Sequence, residues 1–170
     1  MDLKQYVRDI PDFPKPGILY RDITPLLRSP AAFRQTIAEF AAEFRVLGLD
    51  AVVAAEARGF IFAAPLALEL GVAFVPARKP GKLPFETHSL KYALEYGTDT
   101  LQIHIDGLDR GQNVLVVDDL LATGGTVGAC CQLIEKAGAS VAACAFVIEL
   151  VGLGGAERLA PHRVFSLLRL

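Results

Sequence analysis

The run Val114-Leu-Val-Val117 is short, wholly apolar and shows no alternation of polar and apolar residues. A strand of that kind is buried on both faces, and a parallel sheet covered by helices on each side provides that burial. Ala51-Val-Val-Ala-Ala55 reads the same way, as do Val72 to Val75 and Val141 to Ile148, with Arg163 to Leu168 as a last strand. Helical patterns lie between them. Ser29 caps a helix with Pro30 at its first position. Phe33, Ile37, Phe40 and Phe44 then recur at helical spacing, and Gly48 closes the end. Phe60 to Leu70 ends at Gly71, and a third helix carries Val127, Cys131 and Ile134 before Gly138. Strand, helix and strand joined by short connections imply an α/β domain with a central parallel sheet flanked by helices. The 170 residues make a single domain, 1–170.

Residues 76–98 interrupt this rhythm with Pro76, Pro80, Gly81 and Pro84 in a stretch too polar for a core. Tyr92 to Gly97 and Thr100 to Ile105 read as two strands of a hairpin turning at Gly97-Thr98-Asp99. An excursion of this length inside a compact domain points to function.

Charge and cysteine usage narrow the class. Seventeen basic and nineteen acidic residues leave a formal charge of −2, without the basic footprint of a dedicated nucleic-acid binder. Cys130, Cys131 and Cys144 are odd in number and set among apolar or small residues, which favours a reducing compartment. His88, His104 and His162 are scattered, so no zinc site is expected. The charged N-terminus lacks a signal-peptide core, and no apolar run is long enough to span a bilayer. The expectation is a soluble cytoplasmic protein with no membrane or nucleic-acid partner.

Ligands of open α/β sheets bind beyond the carboxyl ends of the strands. There, Val114-Val117 runs into Asp118-Asp119 and then Ala122-Thr-Gly-Gly-Thr126 at a helix start. Gly124 and Gly125 allow close backbone approach to an anion, Thr123 and Thr126 add hydroxyls, and the helix start adds N–H groups and a positive dipole end. No G-x-x-x-x-G-K-[ST] or strand-linked G-x-G-x-x-G is present, which argues against the common nucleotide loops. Two carboxylates beside an anion site fit a ligand that also carries sugar hydroxyls or a divalent cation. The plain alternative is a solvated pair at a helix cap.

The whole segment resembles the phosphoribosyl-diphosphate motif of the type I phosphoribosyltransferases. Other stretches narrow the resemblance to the adenine-using branch of that family. Phe13-Pro-Lys-Pro-Gly-Ile-Leu-Tyr-Arg-Asp-Ile-Thr-Pro25 resembles its N-terminal base-binding hood, and Ala57-Arg-Gly-Phe60 its pyrophosphate turn. Arg78-Lys-Pro-Gly-Lys-Leu-Pro84 and Leu94-Glu-Tyr-Gly97 resemble the two ends of its flexible loop, and Phe165-Ser-Leu-Leu168 its terminal strand. The resemblance implies the type I phosphoribosyltransferase fold. About 1–28 and the C-terminal end would form the hood, and about 78–105 a flexible β-hairpin lid.

The implied reaction converts adenine and 5-phosphoribosyl 1-diphosphate to AMP and pyrophosphate with magnesium. In that scheme Asp118 and Asp119 bind the ribose hydroxyls, while Ala122, Thr123, Gly124, Gly125 and Thr126 wrap the 5-phosphate. Ala57, Arg58, Arg78, Lys79 and Lys82 serve the pyrophosphate. Arg78, Lys79, Lys82 and Lys91 against Glu86 give residues 78–91 a local balance of +3. Tyr20 and Leu150 sandwich adenine, backbone groups of Leu19 and Arg21 read its edge, and the Tyr20 hydroxyl needs a partner or water. Glu95 is the implied acid/base, with Tyr96 assisting closure. Mg2+ would be held mainly by substrate and water, without a dedicated protein ligand set. The family forms homodimers, and Arg78 and Lys82 would reach toward a neighbour's ligand. The lid interior departs from the commoner bacterial pattern, with His88 and Lys91 adding positive charge. A DNA-binding sensor of the same fold fits poorly with the dozen residues before Phe13, and 6-oxopurine transferases match only at the phosphate loop.

Overall fold

The computed structural model describes residues 1–93 and 97–170. A 3-10 turn, Leu3–Tyr6, leads into an antiparallel ribbon of β1 (Arg8–Pro11) and β2 (Leu19–Asp22). The short helix α1 (Thr24–Arg28) and the longer α2 (Pro30–Phe44) follow, the latter capped by Ser29 Oγ on the Ala32 N–H at 3.3 Å. Then come β3 (Ala51–Ala55), α3 (Arg58–Leu70), β4 (Ala73–Ala77), β5 (Thr87–Ala93), β6 (Thr98–His104), β7 (Asn113–Leu121), α4 (Gly125–Lys136), β8 (Ser140–Glu149), α5 (Gly155–Arg158) and β9 (Val164–Arg169).

Five strands form the expected parallel sheet, in the order β4-β3-β7-β8-β9. Every residue of β3 is buried, as its unbroken apolar run requires. One core layer packs α2 and α3, through Phe40, Phe44, Phe62 and Leu66, on one face of the sheet. On the other face, α4 contributes Val127, Cys131, Leu133 and Ile134. Leu101 and Ile103 of the β5–β6 hairpin are buried in this second layer, and Leu90 and Tyr92 pack against it. The Nζ of Lys136 on α4 also donates to the Ser89 carbonyl at 3.0 Å, so the hairpin is tied along α4.

Several boundaries correct the sequence reading. β4 runs through Pro76, because an edge strand pairs on one side only and tolerates the missing N–H. The hairpin strands are Thr87–Ala93 and Thr98–His104, paired Leu90 to Leu101 and Tyr92 to Asp99. Thr98 and Asp99 therefore lie in a strand and not in the turn. Alternation explains the register: Leu90, Tyr92, Leu101 and Ile103 turn to α4, and the polar residues between them face outward. β7 extends through Asp118 and Asp119 to Leu121, so the acidic pair belongs to the strand itself. The β1–β2 ribbon and α1 were not foreseen as elements. An ion pair at 2.6 Å between Arg8 Nη2 and the buried Asp22 Oδ2 pins the ribbon.

Candidate active site

The sheet order places a topological switch between β3 and β7. The helix after β3 crosses to β4 on one side, and the helix after β7 crosses to β8 on the other. The carboxyl ends of those two strands diverge, which opens a crevice for a ligand. A cavity of about 270 Å³ occupies that position. One wall is Glu56, Ala57 and Arg58, and the other is the continuous stretch Asp118 to Val127. Ala122, Thr123, Gly124, Gly125 and Thr126 all line it, as does the acidic pair.

The phosphate-loop geometry follows from two glycines. Gly124 takes a left-handed conformation, φ 80°, as the residue before α4. This leaves the first N–H groups of α4 without intrahelical acceptors and turned to the loop. Gly155, at the start of α5, supports the loop from behind. A Cβ there would lie 2.3 Å from the Ala122 carbonyl oxygen and 2.8 Å from Leu121 Cδ1, so only glycine permits the approach. The same turn brings Arg158 to the loop: its Nη1 lies 3.7 Å from where a Cβ on Gly125 would be.

Arg58 links the two walls. Its Nε lies 3.0 Å from Asp119 Oδ2, and its Nη1 donates to the Tyr20 hydroxyl at 2.9 Å. That guanidinium supplies the partner the Tyr20 hydroxyl requires. Burial works against the Arg58 charge, yet Asp119, Tyr20 and Asp118 outweigh it and hold its pKa above the usual value. Burial dominates the acidic pair. Desolvation, and for Asp118 the neighbouring Asp119 charge, push both carboxyls above the usual range. Asp119 is 4% exposed and Asp118 keeps some solvent contact, so the extra proton affinity belongs to the pair.

A carboxyl raised on folding holds its proton more tightly in the folded chain than in the unfolded one. The folded state therefore loses stability as pH climbs from the ordinary carboxylate value toward the raised one. Asp118→Asn removes that penalty. The variant is expected to melt a few degrees above the parent at about pH 9, with the gap narrower at about pH 5 and closing near the ordinary carboxylate value, about pH 4. Thermal melts of the ligand-free proteins at the two pH values check this. A gap that is equal at both, or reversed, would contradict it.

The remaining expected residues are dispersed. Arg78 and Lys79 do not line the cavity. Arg78 Nε lies 3.5 Å from Glu56 Oε1, and Lys79 Nζ lies 3.1 Å from Asp99 Oδ2. The Lys79 backbone N–H donates to Glu56 at 2.6 Å, and with the nearby Arg78 charge this keeps the Glu56 carboxyl below its ordinary value. Lys82 follows in the same turn, its N–H on the Lys79 carbonyl at 3.3 Å. The basic cluster thus stands next to the Glu56 wall and outside the cavity lining. On β2, Leu19 is exposed and Arg21 pairs with Asp9. Tyr20 meets Phe13 edge-on, with ring centroids 5.1 Å apart. Leu150 directly follows β8, with its N–H donating to the Leu121 carbonyl at 2.9 Å. Glu95 and Tyr96 lie outside the described residues. Sequence reasoning missed Glu56, Gly155 and Arg158. An acidic residue directly after the buried β3 run was the available signal for Glu56. Gly155 and Arg158 gave none, because only the packing of α5 brings them to the loop.

Comparison with known proteins agrees with this geometry. The model of the phosphoribosyl transferase domain matches residues 26–165. An adenine phosphoribosyltransferase of Rhodopirellula baltica is 61% identical over 99% of this chain and 82% of its own. The crystal structure of the Thermoanaerobacter pseudethanolicus enzyme of the same name superposes with a TM-score of 0.96 at 50% identity, covering 99% of this chain and 98% of that one. The Saccharomyces cerevisiae enzyme, complexed with adenine and an imino-altritol bisphosphate, gives 0.93 at 41% identity, covering 98% and 97%. With a switch-point cavity built from an acidic pair and a phosphate loop, and with relatives matched over four fifths or more of their own length, this chain belongs to the adenine phosphoribosyltransferase family.

Proposed function

We propose that the cavity joins adenine to the anomeric carbon of 5-phosphoribosyl 1-diphosphate, giving AMP and pyrophosphate in purine salvage. The observation that carries this reading is the meeting of three features in one crevice: Asp118-Asp119, the 122–126 loop and Arg58. A sugar with a vicinal diol, a terminal phosphate and a second anionic group at the anomeric carbon satisfies all three. The diol donates to the paired carboxylates, and the 5-phosphate takes the loop N–H groups and the Thr123 and Thr126 hydroxyls. The diphosphate meets Arg58 and Ala57, with the Arg78, Lys79 and Lys82 cluster close by. About 1–28, with the β1–β2 ribbon, and the C-terminal end form the hood; Tyr20 and Leu150 hold the flat base and backbone groups of Leu19 and Arg21 read its edge.

As the new C–N bond forms at the anomeric carbon, the C–O bond to the diphosphate breaks and its electron pair leaves on oxygen. Positive charge builds on the sugar, as in other displacements at an anomeric carbon. Glu95 takes the proton that the adenine ring nitrogen gives up. Tyr96 assists as the 78–105 lid closes and excludes water that would otherwise hydrolyse the sugar.

Magnesium would be held mainly by diphosphate oxygens and water: among the described residues no group of three or more His, Cys, Asp or Glu side chains could hold a metal ion, and the Asp118 and Asp119 carboxyls lining the cavity could at most accept from the ion's waters. When bound, the ion neutralises charge on the departing diphosphate. A homodimer in the cytoplasm completes the reading. Among the described residues, no helix is long and apolar enough to cross a membrane.

Purified protein is expected to form AMP from adenine and phosphoribosyl diphosphate with magnesium, and excess chelator is expected to abolish the product. Adenine should outcompete guanine, hypoxanthine and xanthine in the same assay. Absence of AMP with magnesium present, or preference for a 6-oxopurine, would reject the assignment.

A further inference from the structure

The two sides of the cavity and the ribbon above it meet at one guanidinium. Arg58 places Nε on Asp119 and Nη1 on the Tyr20 hydroxyl, at 3.0 and 2.9 Å. A guanidinium is a rigid planar fork; Asp119 faces Nε as a charge partner, and the directional hydrogen bond that sets the plane is the one from Nη1 to the Tyr20 hydroxyl. The Nη2 N–H groups then remain for an anion. Both partners are themselves anchored. Asp119 is buried on β7, while Tyr20 sits in the β1–β2 register opposite Ile10 and against the Phe13 ring. The Arg58 side chain is itself 49% exposed and its Cζ lies 6.0 Å from the Tyr20 ring centroid, so without the hydroxyl only non-directional contacts, to Asp119 and to that ring, would hold the fork. Stacking a base requires only the aromatic face, which phenylalanine offers equally well. The hydroxyl is therefore spare for stacking, and here it accepts a hydrogen bond from Arg58.

We propose that Tyr20 is a positioning residue for the diphosphate pocket: its hydroxyl holds the Arg58 fork in plane for the anion, and so couples the base pocket to the diphosphate pocket. The inference rests on the reading of the cavity as a site for adenine and phosphoribosyl diphosphate. Coupling of this kind is reciprocal. Whatever factor the base applies to diphosphate binding through Tyr20, the diphosphate applies to base binding.

Tyr20→Phe separates the two tasks. Calorimetric titration with inorganic pyrophosphate and magnesium is expected to show binding about 5-fold weaker, the scale of one net hydrogen bond. Adenine binding, titrated separately, is expected to stay within about twofold, since the ring remains. In turnover, the KM for phosphoribosyl diphosphate is expected to rise more than kcat falls. In an Arg58→Lys background, where a single ammonium cannot span both partners, the Tyr20→Phe difference should shrink toward none. An unchanged pyrophosphate affinity in Tyr20→Phe would overturn the proposal, as would an equal loss for adenine. Persistence of the full loss beside Arg58→Lys would do the same. A parent protein that binds neither pyrophosphate nor phosphoribosyl diphosphate would instead reject the functional reading itself.

Discussion

Gly155→Ala is expected to raise the KM for phosphoribosyl diphosphate at least tenfold and to lower the melting temperature by several degrees. The added methyl would lie 2.3 Å from the Ala122 carbonyl oxygen and within 3 Å of two Leu121 side-chain carbons. The closest of these neighbours is backbone, so no side-chain rotation relieves the contact. Either the 122–125 loop or the Gly154–Arg158 turn must move. Overpacking of this kind costs about 1–3 kcal/mol. The loop also carries the anion donors, whose hydrogen bonds tolerate displacements of only a few tenths of an ångström before weakening. A misplacement approaching 1 Å costs on the order of a hundredfold in positioned reactions. Steady-state kinetics with varied phosphoribosyl diphosphate, beside a thermal melt, check both halves. A lower melting temperature with an unchanged KM would show that α5 supports the fold but not the loop.

Glu95→Gln is expected to cut kcat about 100-fold or more, with a much smaller change in the KM for phosphoribosyl diphosphate. The amide preserves size and hydrogen-bonding shape but cannot accept a proton. Adenine must shed one as its nitrogen attacks, and the loss falls on the chemical step. The acid limb of the kcat profile, which a carboxylate base imposes, should disappear in the variant. Single-turnover rates across pH measure this without interference from product release. Turnover within about twofold of the parent would remove Glu95 from its role.

Much of the architecture was legible because burial on both faces leaves an unmistakable trace. β3, β7 and β8 are apolar runs, and their order with α3 and α4 dictates a parallel sheet. Position on the sheet edge was not legible, so Pro76 looked like an end and proved to be inside β4. Thr98 and Asp99 were read into the hairpin turn because Gly97-Thr98-Asp99 has turn composition, whereas the pairing answers to Leu90, Tyr92, Leu101 and Ile103 meeting α4; residues 94–96 of the first expected strand lie outside the described residues. At the site, the loop and the acidic pair were contiguous in sequence and could be read directly. Arg58 was expected on the pyrophosphate side, but its bond to Tyr20 joins positions 38 residues apart and exists only after the ribbon folds over the sheet. Arg78 and Lys79 carried the right charge, yet Glu56 and Asp99 engage them beside the cavity.

The crevice belongs to two crossovers at once, one wall following β3 and the other following β7. Neither strand–helix–strand unit holds a site by itself. Any partial unfolding that separates β3 from β7 therefore destroys the ligand's binding surface. Substrate then acts as a tether across the seam. At a hundred times its dissociation constant, a ligand with no affinity for the opened form lowers that form's population about a hundredfold, a shift of about 2.7 kcal/mol. The resistance of this sheet to proteases and heat thus tracks how much phosphoribosyl diphosphate surrounds it.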